Sequence, residues 1–178
     1  MSQGDQTLLF VWSWFQQTAS GLRLQEQEIL SGNQSAIRIE PALVGLTPNE
    51  LSELFRRYEL ELDLGACLIL MAATEAALRI DFNHRVSKKL KDALSRNFRD
   101  IKRRRGEKIR LDEDILTPWC ALASSTQRAV SEFRGALRLR DWLAHGRYWN
   151  AKLGRQYDSQ DIFNLSAAVL RAANLPIG

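Results

Sequence analysis

The feature that most constrains this chain is a long helical pattern in its middle third. The pattern opens at Thr47–Glu50, where Thr47 can accept a hydrogen bond from the Glu50 backbone N–H, Glu50 can reach back, and a proline takes the first helical position. No proline interrupts it from there to Leu90. The stretch 66–78 is apolar nearly all round, which is typical of a helix buried on more than one side.

Helical periodicity extends to most of the remaining chain. We predict an N-terminal helix from Gln6 to about Leu30, a linker over 33–46, a loop tip at 103–106, a helix from 117 to about 145 that stops at Gly146, and a last helix capped by Ser159 or Asp161. No stretch alternates strictly enough for a strand. The sequence thus predicts an all-α fold, an antiparallel bundle of four long helices with an additional N-terminal helix. We assign 1–45 to the N-terminal helix and linker, and 46–178 to the bundle.

Composition excludes a wholly disordered, a collagen-like and a low-complexity chain. The chain has 178 residues, of which 45% are hydrophobic and 26% charged, the balance of a soluble globular domain. Two cysteines, Cys67 and Cys120, and two histidines do not supply a dedicated transition-metal site, so we expect no metal and no cofactor. The apolar run 8–15 is too short to span a bilayer, and Asp5 stands where a signal peptide needs positive charge. We therefore expect a cytoplasmic protein without a membrane partner.

Positive charge is concentrated in one segment. From Arg85 to Arg110 there are twelve basic residues against three acids, although the net charge of the chain is only +4. Such a segment is typical of proteins that bind a polyanion; the alternative is a solvated helix face followed by a disordered basic loop. Tyr148 is a candidate for stacking on a base, or else for packing against the bundle. The candidate nucleic-acid contacts are Arg96, Arg99, Lys102, Arg103, Arg104, Arg105, Lys108, Arg110, Arg147 and Tyr148.

The most informative residues lie near the end of the helix predicted over 117–145. Arg140 and Arg147 are seven apart and are predicted to share a helix face, while Asp141 and His145, four apart, are neighbours. Asp141 can then orient the imidazole for proton transfer, and arginine offers a planar fork to phosphate oxygens. These are minimum requirements for cutting RNA by attack of the ribose 2′-hydroxyl. The alternative is a histidine that is simply favoured by the helix dipole.

The hexapeptide Arg140-Asp141-Trp142-Leu143-Ala144-His145 resembles the R-x4-6-H signature of the HEPN superfamily. The segment 72–79 is similar to the first long helix of these domains, and the resemblance covers Leu46 to Ala173. It implies a metal-independent endoribonuclease of the kind found among toxins and phage-defence factors. It also implies a homodimer whose paired motifs form one cleft, and a restraining antitoxin or regulatory protein.

The resemblance also assigns roles to residues. His145 would be the acid/base, Arg140 the phosphate contact, and Asp141 a supporting residue. Glu75 and Arg79, at i and i+4, are either supporting site residues or a structural ion pair. Many members of the superfamily have lost activity, so the alternative function is a non-catalytic dimeric module that binds nucleic acid or a partner protein.

Overall fold

The computed structural model describes residues 7–32, 41–122, 126–147 and 153–178. Within these ranges the regular structure is all helical with no strand, which confirms the predicted all-α fold. A 3₁₀ turn at Pro41–Leu43 and a π-helical segment at Leu111–Leu116 accompany the α-helices. The described α-helices are α1 (Leu8–Leu30), α2 (Pro48–Ser87), α3 (Ala93–Arg105), α4 (Thr117–Leu122), α5 (Gln127–Ala144) and α6 (Ser159–Ala172).

The helix α2 is the predicted long helix, and its start is the predicted capping box. The Thr47 hydroxyl accepts from the Glu50 backbone N–H at 3.3 Å, and the Glu50 carboxylate accepts from the Thr47 N–H at 2.8 Å. The helix has 40 residues and is therefore about 60 Å long. Ala72 and Ala76 are exposed, so the apolar stretch is not covered all round. Its fully buried residues include Ala66, Cys67, Leu70 and Leu78.

The helix α1 packs along α2 and reaches the main core. It ends at Leu30 as predicted and continues through Gly21 without a break, while the predicted start at Gln6 lies outside the described residues. Trp12 stacks on Phe163 of α6 with ring centroids 4.7 Å apart. The division of the chain at residue 45 stays a prediction.

The helix α3 lies where the sequence indicated only a loosened pattern. The prediction of a loop tip over 103–106 is wrong, because residues 103–105 form the last turn of α3 and Gly106 ends it with φ 62°. Three buried side chains at i, i+4 and i+7 dock α3 on the core, and the Phe98 ring lies 4.7 Å from that of Phe82 on α2. The three are Leu94, Phe98 and Ile101.

The single helix predicted over 117–145 is in fact two helices. The first, α4, ends before 123–125, which lie outside the described residues, and α5 begins after Thr126. The Thr126 hydroxyl is buried and donates to the Trp119 carbonyl of α4 at 2.9 Å. This side-chain hydrogen bond competes with the backbone hydrogen bonds of a continuous helix, as Ser and Thr side chains commonly do at helix boundaries.

The helix α6 closes the core against α2 and α5. Its N-cap is Asp158, whose carboxylate accepts from the Asp161 backbone N–H at 2.7 Å. The prediction of Ser159 or Asp161 as the cap is therefore wrong by one or more residues. The Ser159 N–H instead donates to Asp63 of α2 at 3.1 Å, which fixes the start of α6 on the long helix.

Both cysteines are free thiols. Cys67 is fully buried on α2, and burial raises the pKa of its thiol to about 12, which makes it chemically inert. Cys120 on α4 is half-buried. None of the helices in the described ranges is long and apolar enough to cross a membrane.

Candidate active site around Arg140

The Arg140 side chain of α5 lies against α2. Its Nη2 donates to Glu75 Oε2 at 2.6 Å, and the other oxygen of the same carboxylate accepts from Arg79 Nε at 2.8 Å. Arg79 Nη1 also donates to the Ile109 carbonyl at 3.1 Å. Glu75 is only 14% exposed and Arg140 36%. The predicted Glu75–Arg79 ion pair is thus present, and the same carboxylate fixes the position of Arg140.

Asp141 and His145 lie at the exposed end of α5. Asp141 Oδ1 accepts from Arg140 Nη1 at 3.1 Å, and the Asp141 carbonyl accepts the His145 backbone N–H at 3.1 Å. His145 caps the helix, and Gly146 follows with φ 80°, as the sequence predicts. Asp141 therefore bonds Arg140 through its side chain and His145 through its backbone. Its orientation of the imidazole stays a prediction.

An open cavity of about 590 Å³ lies beside Arg140. Its wall on α5 carries three guanidinium groups, at i, i+4 and i+6. Asp112 also lines the cavity and forms an ion pair with Arg134, and this adjacent carboxylate raises the pKa of the guanidinium. The cavity is large enough for a nucleotide-sized ligand. Its charged lining residues are Asp112, Arg134, Arg138, Arg140 and Asp141.

The sequence did not single out Arg134, Arg138 or Asp112. Arg134, Arg138 and Asp141 occur at i, i+4 and i+7, a spacing that places them on one face of α5. That spacing could have predicted a charged face continuous with Arg140. No sequence signal could have placed Asp112 across from it, because the π-helical segment that carries Asp112 brings it there.

Arg147 does not line the cavity beside Arg140. The prediction that it shares a helix face with Arg140 is wrong, because α5 ends at Ala144 and Arg147 takes a left-handed φ of 59°. Its two terminal nitrogens pair with both oxygens of Glu61 at 2.8 Å, and this hydrogen bonding lowers the pKa of the Glu61 carboxyl. Glu61 and Glu75 lie fourteen residues apart on α2, about 21 Å along its axis. Tyr148 lies outside the described residues.

Most cations of the predicted nucleic-acid interface near the end of α3 are ion-paired. Arg103 pairs with Asp100, and Lys102 with Glu107. Glu113 pairs with both Arg105 and Arg110, at 3.3 and 2.7 Å, and Arg105 also reaches Asp114. Further back, Arg99 donates to the Leu90 carbonyl at 2.7 Å. Of the remaining candidates, Arg96, Arg104 and Lys108 are exposed, and Arg104 donates to the Asp100 carbonyl.

The residues around Arg140 supply N–H donors and an imidazole. Arg140 has N–H groups beyond the two that Glu75 and Asp141 engage, and a guanidinium carries five in all. These can contact a phosphate in the cavity while the two carboxylates hold the side chain in place. His145, at the end of the same helix, carries an imidazole, a group that can accept and donate protons. Across the described ranges, no three His, Cys, Asp or Glu residues come together as a metal site.

Comparison with known proteins does not assign the chain to a class. No protein-family model matches it, and neither a curated protein nor a solved structure shows significant similarity to it.

Proposed function

We propose that the protein is a metal-independent endoribonuclease whose site is built on Arg140 and His145. One observation carries this proposal: a carboxylate from another helix anchors Arg140 at the rim of an arginine-lined cavity, one residue before Asp141 and five before His145. An anchored guanidinium binds phosphate with less loss of side-chain freedom than a mobile one.

The reaction needs few groups. In 2′-hydroxyl attack, the O2′–P bond forms and the P–O5′ bond breaks, with one proton leaving the 2′-oxygen and one reaching the 5′-oxygen. His145 is the group proposed to carry a proton, because imidazole accepts and donates protons near neutral pH. Arg140 is proposed to stabilise the charge that develops on the phosphate oxygens. Asp141 and Glu75 act as positioning residues for Arg140.

We also propose that α2, α3, α5 and α6 are the four long helices of an antiparallel bundle to which α1 is added. The long helix α2 contacts each of the other three. Arg140 pairs with Glu75, and Arg147, later in the chain, pairs with Glu61, earlier on α2. This opposite order supports an antiparallel arrangement of α5 and α2. The HEPN resemblance adds a role in toxicity or phage defence in the cytoplasm, restrained by an antitoxin or regulatory protein.

The second candidate is a non-catalytic module that binds nucleic acid or a partner protein. It is favoured by the same ion pairs, because the carboxylates of Glu75 and Asp141 neutralise the charge that Arg140 would offer to a phosphate. In this case the cluster ties α5 to α2 and has no chemical role.

Cleavage of RNA in excess chelator distinguishes the two candidates. We expect the wild-type protein to cut tRNA or total RNA, and His145→Ala to lower the rate by a factor of about 10² to 10⁴, the usual effect of losing an acid/base group. His84→Ala is the matched control. His84 is exposed on α2, nine residues beyond Glu75 and thus about 14 Å along the axis, and it lines a different cavity.

The result that would contradict the nuclease is binding of RNA without cleavage, or equal rates for His145→Ala and the wild type. Circular dichroism of both variants shows whether the helices remain. Equal loss of activity in His84→Ala and His145→Ala would also count against a site at the end of α5.

A further inference from the structure

The turn that joins α2 to α3 carries positive charge that its surroundings leave unneutralised. Three basic side chains in this turn and one at the start of α3 are exposed, and none of them has an ion pair within the part of the chain that the structure describes. Arg99 closes the turn through its bond to the Leu90 carbonyl. We call these four residues the basic turn: Lys88, Lys89, Lys91 and Arg96.

The basic turn contrasts with the far end of α3. Residues 85–99 contain six basic residues and one acid, Asp92, which pairs with Arg85. Residues 100–114 contain six basic residues and five acids, and every one of those acids is ion-paired. The positive charge that the sequence spreads over the whole segment is therefore concentrated at the basic turn.

The backbone at the basic turn also favours a different residue from the one present. Lys89 has φ 51°, a left-handed conformation that glycine adopts without steric cost and other residues adopt at a cost of about 1 kcal/mol. Glycine ends the comparable turns at residues 106 and 146. A lysine at position 89 therefore adds a positive charge at the cost of an unfavourable backbone conformation.

The partner that fits this surface is a phosphate backbone. An anionic membrane would need an apolar face beside the charge for insertion. The apolar face of α3 is instead buried in the core, and only Leu90, 36% exposed, accompanies the lysines. A row of exposed, unpaired cations with little apolar surface beside it is typical of contacts with nucleic-acid phosphates.

We propose that the basic turn is the principal RNA-backbone contact outside the Arg140 site, ahead of the arginines 103–105, of which Arg103 and Arg105 are ion-paired. It rests on the proposed function in that RNA is taken as the ligand. Lys88 lies thirteen residues beyond Glu75 on α2, about 20 Å along the axis. A long strand bound at the Arg140 cavity can reach the basic turn, whereas a very short oligonucleotide bound at the cavity cannot.

The test compares two triple variants that each remove three positive charges. One carries Lys88→Gln, Lys89→Asn and Lys91→Gln, with Asn chosen because it tolerates the left-handed backbone. The control carries Arg103→Gln, Arg104→Gln and Arg105→Gln. Binding of a labelled long oligouridylate is followed by fluorescence anisotropy over a range of salt, in a His145→Ala background that prevents cleavage. We expect the first variant to flatten the slope of log K against log salt by about 2, at roughly 0.7 per contact, and the control by less than about 1.

A cleavage assay of the His145-containing proteins supplies a second readout. The basic-turn variant is expected to raise KM for the long oligouridylate with kcat unchanged, and to leave cleavage of a very short one unaltered. An unaltered salt slope in that variant, or a larger effect in the control, would overturn the basic turn as the principal contact. So would a loss of binding to phosphatidylserine vesicles with no change for RNA. Wild-type protein that binds RNA through the basic turn without cutting it would refute only the nuclease.

Discussion

At the scale of the residue, the two ion pairs of Arg140 decide what a substitution does. Arg140 places one terminal nitrogen on Glu75 and the other on Asp141. A lysine has a single ammonium and cannot hold both carboxylates while also contacting a phosphate in a planar fork. We therefore expect Arg140→Lys to lower the rate of RNA cleavage by about 10²-fold or more, although it keeps the charge.

The control for Arg140→Lys is Arg128→Lys on the same helix. Among the described residues, Arg128 pairs with Glu132, one turn away on the exposed face of α5, and such surface pairs contribute about 0–1 kcal/mol. We expect this variant to cleave RNA at the wild-type rate. If Arg140→Lys kept full activity, the fork of Arg140 would have no role in the reaction.

The sequence named the candidate residues of this site but not the hydrogen bonds that hold them. Arg140, Asp141, His145 and Glu75 were all identified from motif spacing and resemblance. The bond between Arg140 and Glu75 joins residues 65 apart, and no local spacing encodes it. This bond forms because tertiary packing brings α5 against α2.

At the scale of the element, the start of α2 is its most clearly encoded feature. The Thr47 hydroxyl caps the helix and also donates to Glu50 at 2.7 Å. We expect Thr47→Ala to lower the free energy of unfolding by about 1 kcal/mol, the usual cost of removing an N-cap hydroxyl. Thr47→Ser keeps the hydroxyl and should restore nearly all of it. Denaturant unfolding followed by circular dichroism measures both, and equal stabilities of the Ala and Ser variants would contradict this role for the hydroxyl.

The elements that the sequence missed depend on side-chain bonds that hydrophobic periodicity does not reveal. The helix α3 has apolar residues at helical spacing, but seven basic residues in and around its last turns favoured a loop over a helix. Local ion pairs with Asp100, Glu107 and Glu113 reduce the repulsion between those cations and allow the last turn to form. Thr126 likewise separates α4 from α5 through a buried bond that periodicity does not reveal.

At the scale of the whole molecule, one chain supplies less chemistry than the proposed reaction needs. The reaction needs one group to take a proton and another to give one, and His145 is the only histidine near Arg140. His84 lines another cavity, with Asp81 and Ile80, further along α2. A two-fold axis beside the end of α5 would bring two copies of His145 and Arg140 to one phosphate, and such isologous dimers are the commonest oligomers. We therefore propose that the working unit is a homodimer.

Mixing two inactive chains tests this dimer directly. We expect His145→Ala and Arg140→Ala to be inactive when each is alone. In a mixed dimer the composite site keeps one His145 and one Arg140, from different chains, whereas neither homodimer has both. With water in place of the second imidazole, mixing the two variants should restore a small but measurable fraction of the cleavage rate. A mixture of His145→Ala with His145→Gln is the control, because neither chain provides an imidazole, and it should stay inactive. Sedimentation of the wild type at the assay concentration gives the independent measurement, since a fully active monomer would show that the second copy is not required.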